Sequence, residues 1–278
     1  MPWKYSEEYY REYTRTTWNE AAPAYPSLAE RFVPFRAELV RQLGPAAGES
    51  ILDLGTGHGE PAMTIAGAVG ATGRVVGVDL SEGMVDLAGR TARERHLSNM
   101  EFRVMDCSAL DFPDASFDGV VSSFGFQIFT DPAKAAREAR RVLRPGGRIA
   151  VSIWSTAEKV PFLDVLVAPM MAGAEPDETG YLPTPFETGG PGEMAGFLRE
   201  AGFQSPSERR LSLQFIYHSP EEYLDTVLRG TPLGHSLGEE SPETQETILR
   251  ATRANLEGRR SGTEIVLPAE AVFVTARA

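Results

Sequence analysis

The residues best suited to chemistry in this chain sit in one run, Ile51-Leu52-Asp53-Leu54-Gly55-Thr56-Gly57-His58-Gly59-Glu60. It reads as a buried strand that stops in a glycine turn and opens a helix. A glycine turn lets backbone approach a ligand closely. In doubly wound sheets ligands sit at that carboxyl edge. About 20 residues after Gly59, a second strand over 74–79 ends in Asp79, and Asp106-Cys107 follows a third. Asp79 is placed to accept hydrogen bonds from ribose hydroxyls, and Asp106 to face an adenine amino group. Ser122, Ser123 and Phe124 close a fourth strand, where they would line the rest of such a ligand.

The spacing is Gly-x-Gly-x-Gly followed by Glu60, not the Gly-x-Gly-x-x-Gly of a dinucleotide site. A diphosphate needs N–H groups at the next helix N-terminus, and Glu60 would set a negative charge beside it. A sulfonium and an ammonium suit Asp53 and the turn at Gly55 and Gly57 better. The pattern therefore favours S-adenosylmethionine (SAM), with S-adenosylhomocysteine (SAH) as product, and hence a methyltransferase. A nicotinamide-dependent oxidoreductase and a non-catalytic SAM-binding protein are the alternatives. Cys107 reads as a small pocket-wall residue rather than a nucleophile.

Methyl transfer from a sulfonium is an in-line displacement, and alignment alone can supply ~7–11 kcal/mol of the barrier. A base is needed only if the acceptor must lose a proton. The candidates are His58 in the glycine turn, and His218 and His235 further on. Tyr13, Trp18 and Tyr25 are candidate lid residues over the acceptor, since aromatic faces attract cations by ~0.5–2 kcal/mol. Gln127, Trp154 and Tyr217 are further acceptor-site candidates. Phe162, Met170, Met171 and Phe186 point to an apolar or aromatic acceptor of quinone, phenol or polyketide type.

The 278 residues carry a net charge of −12, which opposes nucleic acid and anionic membranes as partners. Arg137, Arg140, Arg141, Arg144 and Arg148 form the solvated side of one helix rather than a basic patch. One cysteine excludes an internal disulfide and fits a cytoplasmic protein. No two of the four histidines have metal-ligand spacing, so no metal is expected. The first residues lack the apolar core of a signal peptide. The apolar stretch 160–174 is broken by Asp164 and is too short to span a bilayer. A small-molecule acceptor is the expected partner, and a homodimer is left open.

The elements that must position these residues alternate strand and helix from Ser50. Strands are expected at 50–54, 74–79, 101–105, 119–124 and 148–154. Helices are expected at 61–69, 81–97 and 131–144, with Ser81 as a cap and Gly146 as a stop. This is an α/β chain, with a parallel sheet covered by helices on both faces. Residues 1–48 read as an N-terminal helical lid, with Tyr5, Tyr9 and Tyr13 on one helix face and a second helix over 28–43. Residues 49–155 read as the cofactor-binding core. Residues 156–278 complete the sheet and carry acceptor-covering insertions at 156–192 and 218–262. There a helix over 192–201 leads to a strand near 210–217. Helices near 220–228 and 242–258 follow, then two strands, 264–267 and 271–276, separated by a turn.

Four stretches resemble class I SAM-dependent methyltransferases: Leu52-Asp53-Leu54-Gly55-Thr56-Gly57, Asp79-Leu80-Ser81-Glu82-Gly83-Met84, Phe112-Pro113-Asp114-Ala115-Ser116-Phe117-Asp118 and Arg141-Val142-Leu143-Arg144-Pro145-Gly146-Gly147. Within that superfamily they are most similar to the ubiquinone/menaquinone C-methyltransferase type. The resemblance covers about residues 48–155. It implies a Rossmann-like doubly wound sheet of seven strands whose last strand, 271–276, is antiparallel, and it adds Leu80 and Met84 to the cofactor site. Where the quinone enzymes carry Phe-Gly-Leu-Arg-Asn, with an arginine implicated in proton removal, this chain has Phe124-Gly125-Phe126-Gln127-Ile128.

Overall fold

A computed structural model describes residues 7–173 and 185–278. Tyr5 lies outside the described residues. Strands β1 (Ser50–Leu54), β2 (Arg74–Asp79), β3 (Met100–Val104), β4 (Phe117–Ser123) and β5 (Leu143–Trp154) pair in parallel. Strand β8 (Glu264–Arg277) joins β5 antiparallel, and β6 (Gln204–Tyr217) joins the far side of β8. The order is β3-β2-β1-β4-β5-β8-β6, with the two-residue β7 (Arg260–Ser261) on β8. The expected mixed sheet is present with this short extra strand. Chain order reverses direction between β1 and β4, the switch point where doubly wound sheets hold ligands.

Successive strand residues serve opposite faces, as the two-residue period requires. Ile51, Val75, Val121 and Ala150 enter one apolar core, which includes Phe35 and Leu39 of helix α3 (Val33–Leu43). Leu52, Val76, Val120 and Val151 enter the other, against Ala135 and Ala139 of α6 (Pro132–Val142). Every residue of β1 is buried, so its tip is held from both sides.

Before the sheet, α1 (Glu7–Ala21) and α2 (Tyr25–Ala29) precede α3. The single helix expected over 28–43 is broken by a tight turn at Glu30–Phe32. Pro34, in the first turn of α3, has no N–H to continue a helix from upstream. Helix α3 ends on Gly44 at φ +59, whose N–H bonds Val40 O. Helices α4 (Ala62–Val69) and α5 (Glu82–Glu94) flank β2, and Ser81 caps α5 through Met84 N at 3.1 Å, as expected. Gly146 is not the stop of α6. That helix ends at Val142, and Leu143 is already extended, so Gly146 falls within β5.

After β5 come α7 (Pro161–Gly173), α8 (Glu193–Glu200), α9 (Pro220–Gly230), α10 (Leu233–Gly238) and α11 (Pro242–Glu257). Helix α11 packs on α7, and α9 on α2. The turn expected between 267 and 271 does not form. β8 runs straight through Pro268, opposite Gln214. β5 reaches only Ala271 on that side, so Pro268 lies where β8 has an open edge, the place a strand tolerates proline. Among the described residues, no helix is long and apolar enough to cross a membrane.

Candidate active site

The glycine turn is tied to β2 rather than left as a loose loop. Gly55 N and Thr56 N both donate to Val78 O, each at 2.9 Å. Gly57 N donates to Asp79 Oδ2 at 2.8 Å, and Ser81 N to Asp79 Oδ1 at 3.0 Å. Gly55 and Gly57 sit at φ +68 and +54, where a side chain would be strained. A Cβ on Gly55 would also lie 3.1 Å from the Phe129 ring. The turn keeps this close approach only because both positions are glycine.

A cavity of about 230 Å³ opens over this turn. Its first end is lined by Gly55, Gly57, Asp79, Leu80, Asp106 and Cys107, with Met84 beside them. Asp79 is half-buried, and desolvation raises its pKa while its bonds to backbone N–H groups oppose the rise. Each oxygen takes one N–H and keeps lone pairs for further donors. Asp106 Oδ1 accepts from Ser108 N and Oγ, and its Oδ2 lies 2.9 Å from Arg11 Nε of α1.

Asp53 does not reach this cavity. It is fully buried under the turn, where its Oδ2 accepts from Thr56 Oγ1 at 2.8 Å. It shapes the turn instead of facing the ligand. Burial pushes its pKa from 3.8 up to about 7, outweighing the Thr56 bond. The folded chain thus holds a proton that the unfolded chain has released. Stability from this group is full at low pH and is lost as pH rises through 7, at up to ~1.4 kcal/mol per pH unit. Asp53→Asn should flatten the thermal-stability profile between about pH 4 and 7. A slope equal to that of the unaltered protein would show Asp53 to be ionised in the fold.

Helix α1 roofs the cavity, with Tyr13, Thr14, Thr17 and Trp18 on its lining face. Asn19 pins the roof to the cofactor side. Its Oδ1 accepts from Ser81 Oγ at 2.6 Å and Gly83 N at 2.9 Å. On the other side Tyr13 Oη meets Ser236 Oγ of α10 at 2.7 Å. Trp18, Tyr25 and His58 then stand edge to face in series, with ring centres 5.5 and 5.3 Å apart. The expected lid residues Tyr13, Trp18 and Tyr25 all line the cavity.

The second end is aromatic. Phe124 stacks on Trp154 with centroids 4.2 Å apart, and Phe32 and Phe162 complete the wall. Phe124 holds φ +57, a costly conformation for a ringed side chain. Gly125 beside it has no such φ but is needed for room. A Cβ there would fall 2.6 Å from Ser122 Oγ and 3.1 Å from Leu54 O. Space takes the glycine, and Phe124 takes the strain. Gln127 lines the cavity, and its Oε1 accepts from Trp154 N at 2.7 Å.

Several expected residues lie elsewhere. Ser122 is fully buried and donates to Leu54 O at 2.8 Å, while its neighbour Ser123 faces the cavity. Tyr217 is fully buried, with the Arg31 guanidinium 4.1 Å over its ring, and has a packing role. None of the three candidate histidines lines the cavity. His58 has a buried Nδ1 with no hydrogen bond, and burial with nearby Arg36 pushes its pKa down to about 4. His218 is exposed beyond β6. His235 sits behind Tyr13, bonded to Glu20 at 2.7 Å. Sequence reasoning missed Phe32, Phe129, Asn19 and Ser236, which reach the site only through packing of distant segments.

The fold and the site define a class: a doubly wound α/β protein with carboxylates lining the cavity at its switch point. The start of α4 is already occupied by protein, since Glu60 Oε2 accepts from Thr64 Oγ1 at 2.8 Å and its Oε1 pairs with Arg95. A diphosphate would meet that carboxylate, whereas a cationic sulfur nucleoside fits the acids and aromatic faces present.

Residues 51–147 match the family model described as a methyltransferase domain. The chain is 31% identical to nocamycin O-methyltransferase of Saccharothrix syringae over 260 residues, 89% of this chain and 92% of that protein. It is 36% identical to demethylmenaquinone methyltransferase of Thermus thermophilus over 202 residues, 66% of this chain and 90% of that protein. The crystal structure of the YcgJ protein of Bacillus subtilis has the same fold, with TM-score 0.60 and 21% identity over 87% of this chain and 97% of that one. The chain belongs to the SAM-dependent methyltransferases. It is an enzyme of that family with SAM as its cofactor, as the motifs implied, and the nicotinamide alternative finds no support.

Proposed function

We propose that this enzyme methylates a small, flat, largely apolar acceptor of polyketide, phenol or quinone type. The observation that carries this is the continuity of one cavity from Asp79 and Asp106 to the wall of Phe32, Phe124, Trp154 and Phe162. When bound, SAM supplies the electrophilic methyl. Asp79 is available to the ribose hydroxyls and Asp106 to the adenine amino group. Helix α1 with Tyr25 and Leu28 of α2 acts as the lid, and the cover from α7 and α10 shuts water from the acceptor end. The names of the two relatives, one acting on nocamycin and one on demethylmenaquinone, agree with an acceptor of this kind.

The phenols of Tyr13 and Tyr25 are pushed up to about 12 by burial. At neutral pH they are hydrogen-bonding groups and not bases. Rate then comes mainly from alignment between lid and sheet, worth ~7–11 kcal/mol at best. The net charge of −12 favours a small molecule over nucleic acid. Cytoplasm, where SAM is made, is the expected compartment.

Labelled-methyl transfer from SAM to a panel of polyketide-like, phenolic and quinone acceptors tests this. Label is expected in at least one flat acceptor. Label found only in aliphatic amines or in macromolecules would overturn the reading.

A further inference from the structure

Gln127 lies at the aromatic end of the cavity with its polar orientation fixed by protein. It sits in the turn Phe126–Ile128, directly after β4. Its amide contacts the backbone N–H of Trp154, 2.7 Å away. That N–H is a donor, so the atom facing it must be the oxygen. The two ends of an amide are easily exchanged in a structure, and here the Trp154 donor settles which is which. Nε2 is therefore turned the other way. Among the described residues it donates to nothing, and the side chain, 8% exposed, borders the cavity beside Phe124 and Trp154.

The geometry points to Gln127 Nε2 as a hydrogen-bond donor to an oxygen of the methyl acceptor. The acceptor is then a planar molecule carrying a proton-free oxygen, such as a ketone, quinone carbonyl, enolate or carboxylate, close to the atom that is methylated. This inference rests on the flat-acceptor reading above and adds what the acceptor must present. Its chemistry follows from the surroundings. Phe124 and Trp154 offer a flat apolar face, so the ring system lies against them. A neutral amide N–H in an apolar slot is costly to leave unpaired, by ~1–3 kcal/mol. It rewards an acceptor oxygen and penalises a hydrocarbon of the same shape. Gln127 does not take a proton. It holds the oxygen and draws charge from it, and so orients the acceptor toward the cofactor side of the cavity.

Gln127→Glu separates this role from a structural one. A carboxylate oxygen still accepts from Trp154 N–H, but the donor becomes an acceptor. The test uses full-length protein, a planar acceptor with a carbonyl, and its analogue lacking that oxygen. For the carbonyl acceptor, kcat/KM is expected to fall about 10- to 100-fold in Gln127→Glu. SAH affinity should stay within about threefold, as a defect confined to the acceptor end requires. Activity should recover as pH is lowered, because a protonated carboxyl regains a donor and burial lifts its pKa. Gln127→Met keeps the volume and loses both bonds. It should show the same loss with no recovery at low pH.

Equal rates for Gln127→Glu and unaltered protein at every pH would overturn the inference. So would an unchanged preference for the carbonyl acceptor over its analogue. If the unaltered protein labels no flat acceptor at all, the underlying function reading has failed, and the inference falls with it.

Discussion

Asp79→Ala is expected to weaken SAH binding by roughly 100- to 10,000-fold, the loss of two charge-assisted hydrogen bonds of ~1.5–3 kcal/mol each. The carboxylate has two tasks. It holds the Gly57 and Ser81 N–H groups at 2.8 and 3.0 Å, and so fixes the glycine turn. It also presents its remaining lone pairs to the cavity, where the ribose hydroxyls would donate. Alanine removes both, and the turn loses its tether as well as its ligand. Calorimetric titration with SAH reads the effect directly. Asp53→Asn is the control, because Asp53 touches the turn but not the cavity. It should bind SAH within a few-fold of the unaltered protein. A comparable loss in both variants would mean that turn geometry alone governs affinity.

The second large effect belongs to Phe162→Ala. Phe162 is fully buried between Phe215, Trp154, Phe32 and Tyr223, with ring centres 4.7 to 6.2 Å away. Removing such a ring costs about 3–5 kcal/mol in lost burial and cavity formation. For a chain of this size that lowers the melting temperature by roughly 6–15 °C. The ring also borders the acceptor end, so the variant should accept bulkier acceptors than the unaltered enzyme. A melting temperature unchanged within a degree would show that the aromatic wall is loosely packed.

What was legible in the sequence is the part built from local signals. The strand, glycine turn and distant acid lie in short motifs, and Gly55, Gly57, Asp79 and Asp106 all meet at one cavity. Errors arose where one residue of register or one long-range contact decides. Ser122 and Ser123 are neighbours on a strand, so only one of them can face the site. As a carboxylate Asp53 would suit a cationic ligand, but it is buried under the turn, where Thr56, three residues on, bonds it. Nothing in the chain order announces that preference. The acceptor end was least legible, because it is assembled by α1, α7 and α10 from opposite ends of the chain. His218 and Tyr217 looked available as residues of a cover, yet the long β6 carries one to the surface and the other into the core. Pro268 signals a turn in sequence, which does not show that β5 ends short of it.

The central claim is that one cavity holds the sulfur nucleoside at its acidic end and the acceptor at its aromatic end. A crystal structure of the enzyme grown with SAH tests it most directly. Adenosine is expected between Asp79 and Asp106, with the sulfur facing the Phe124–Trp154 stack. Density for SAH that leaves Asp79 untouched, or that turns the sulfur away from that stack, would contradict it.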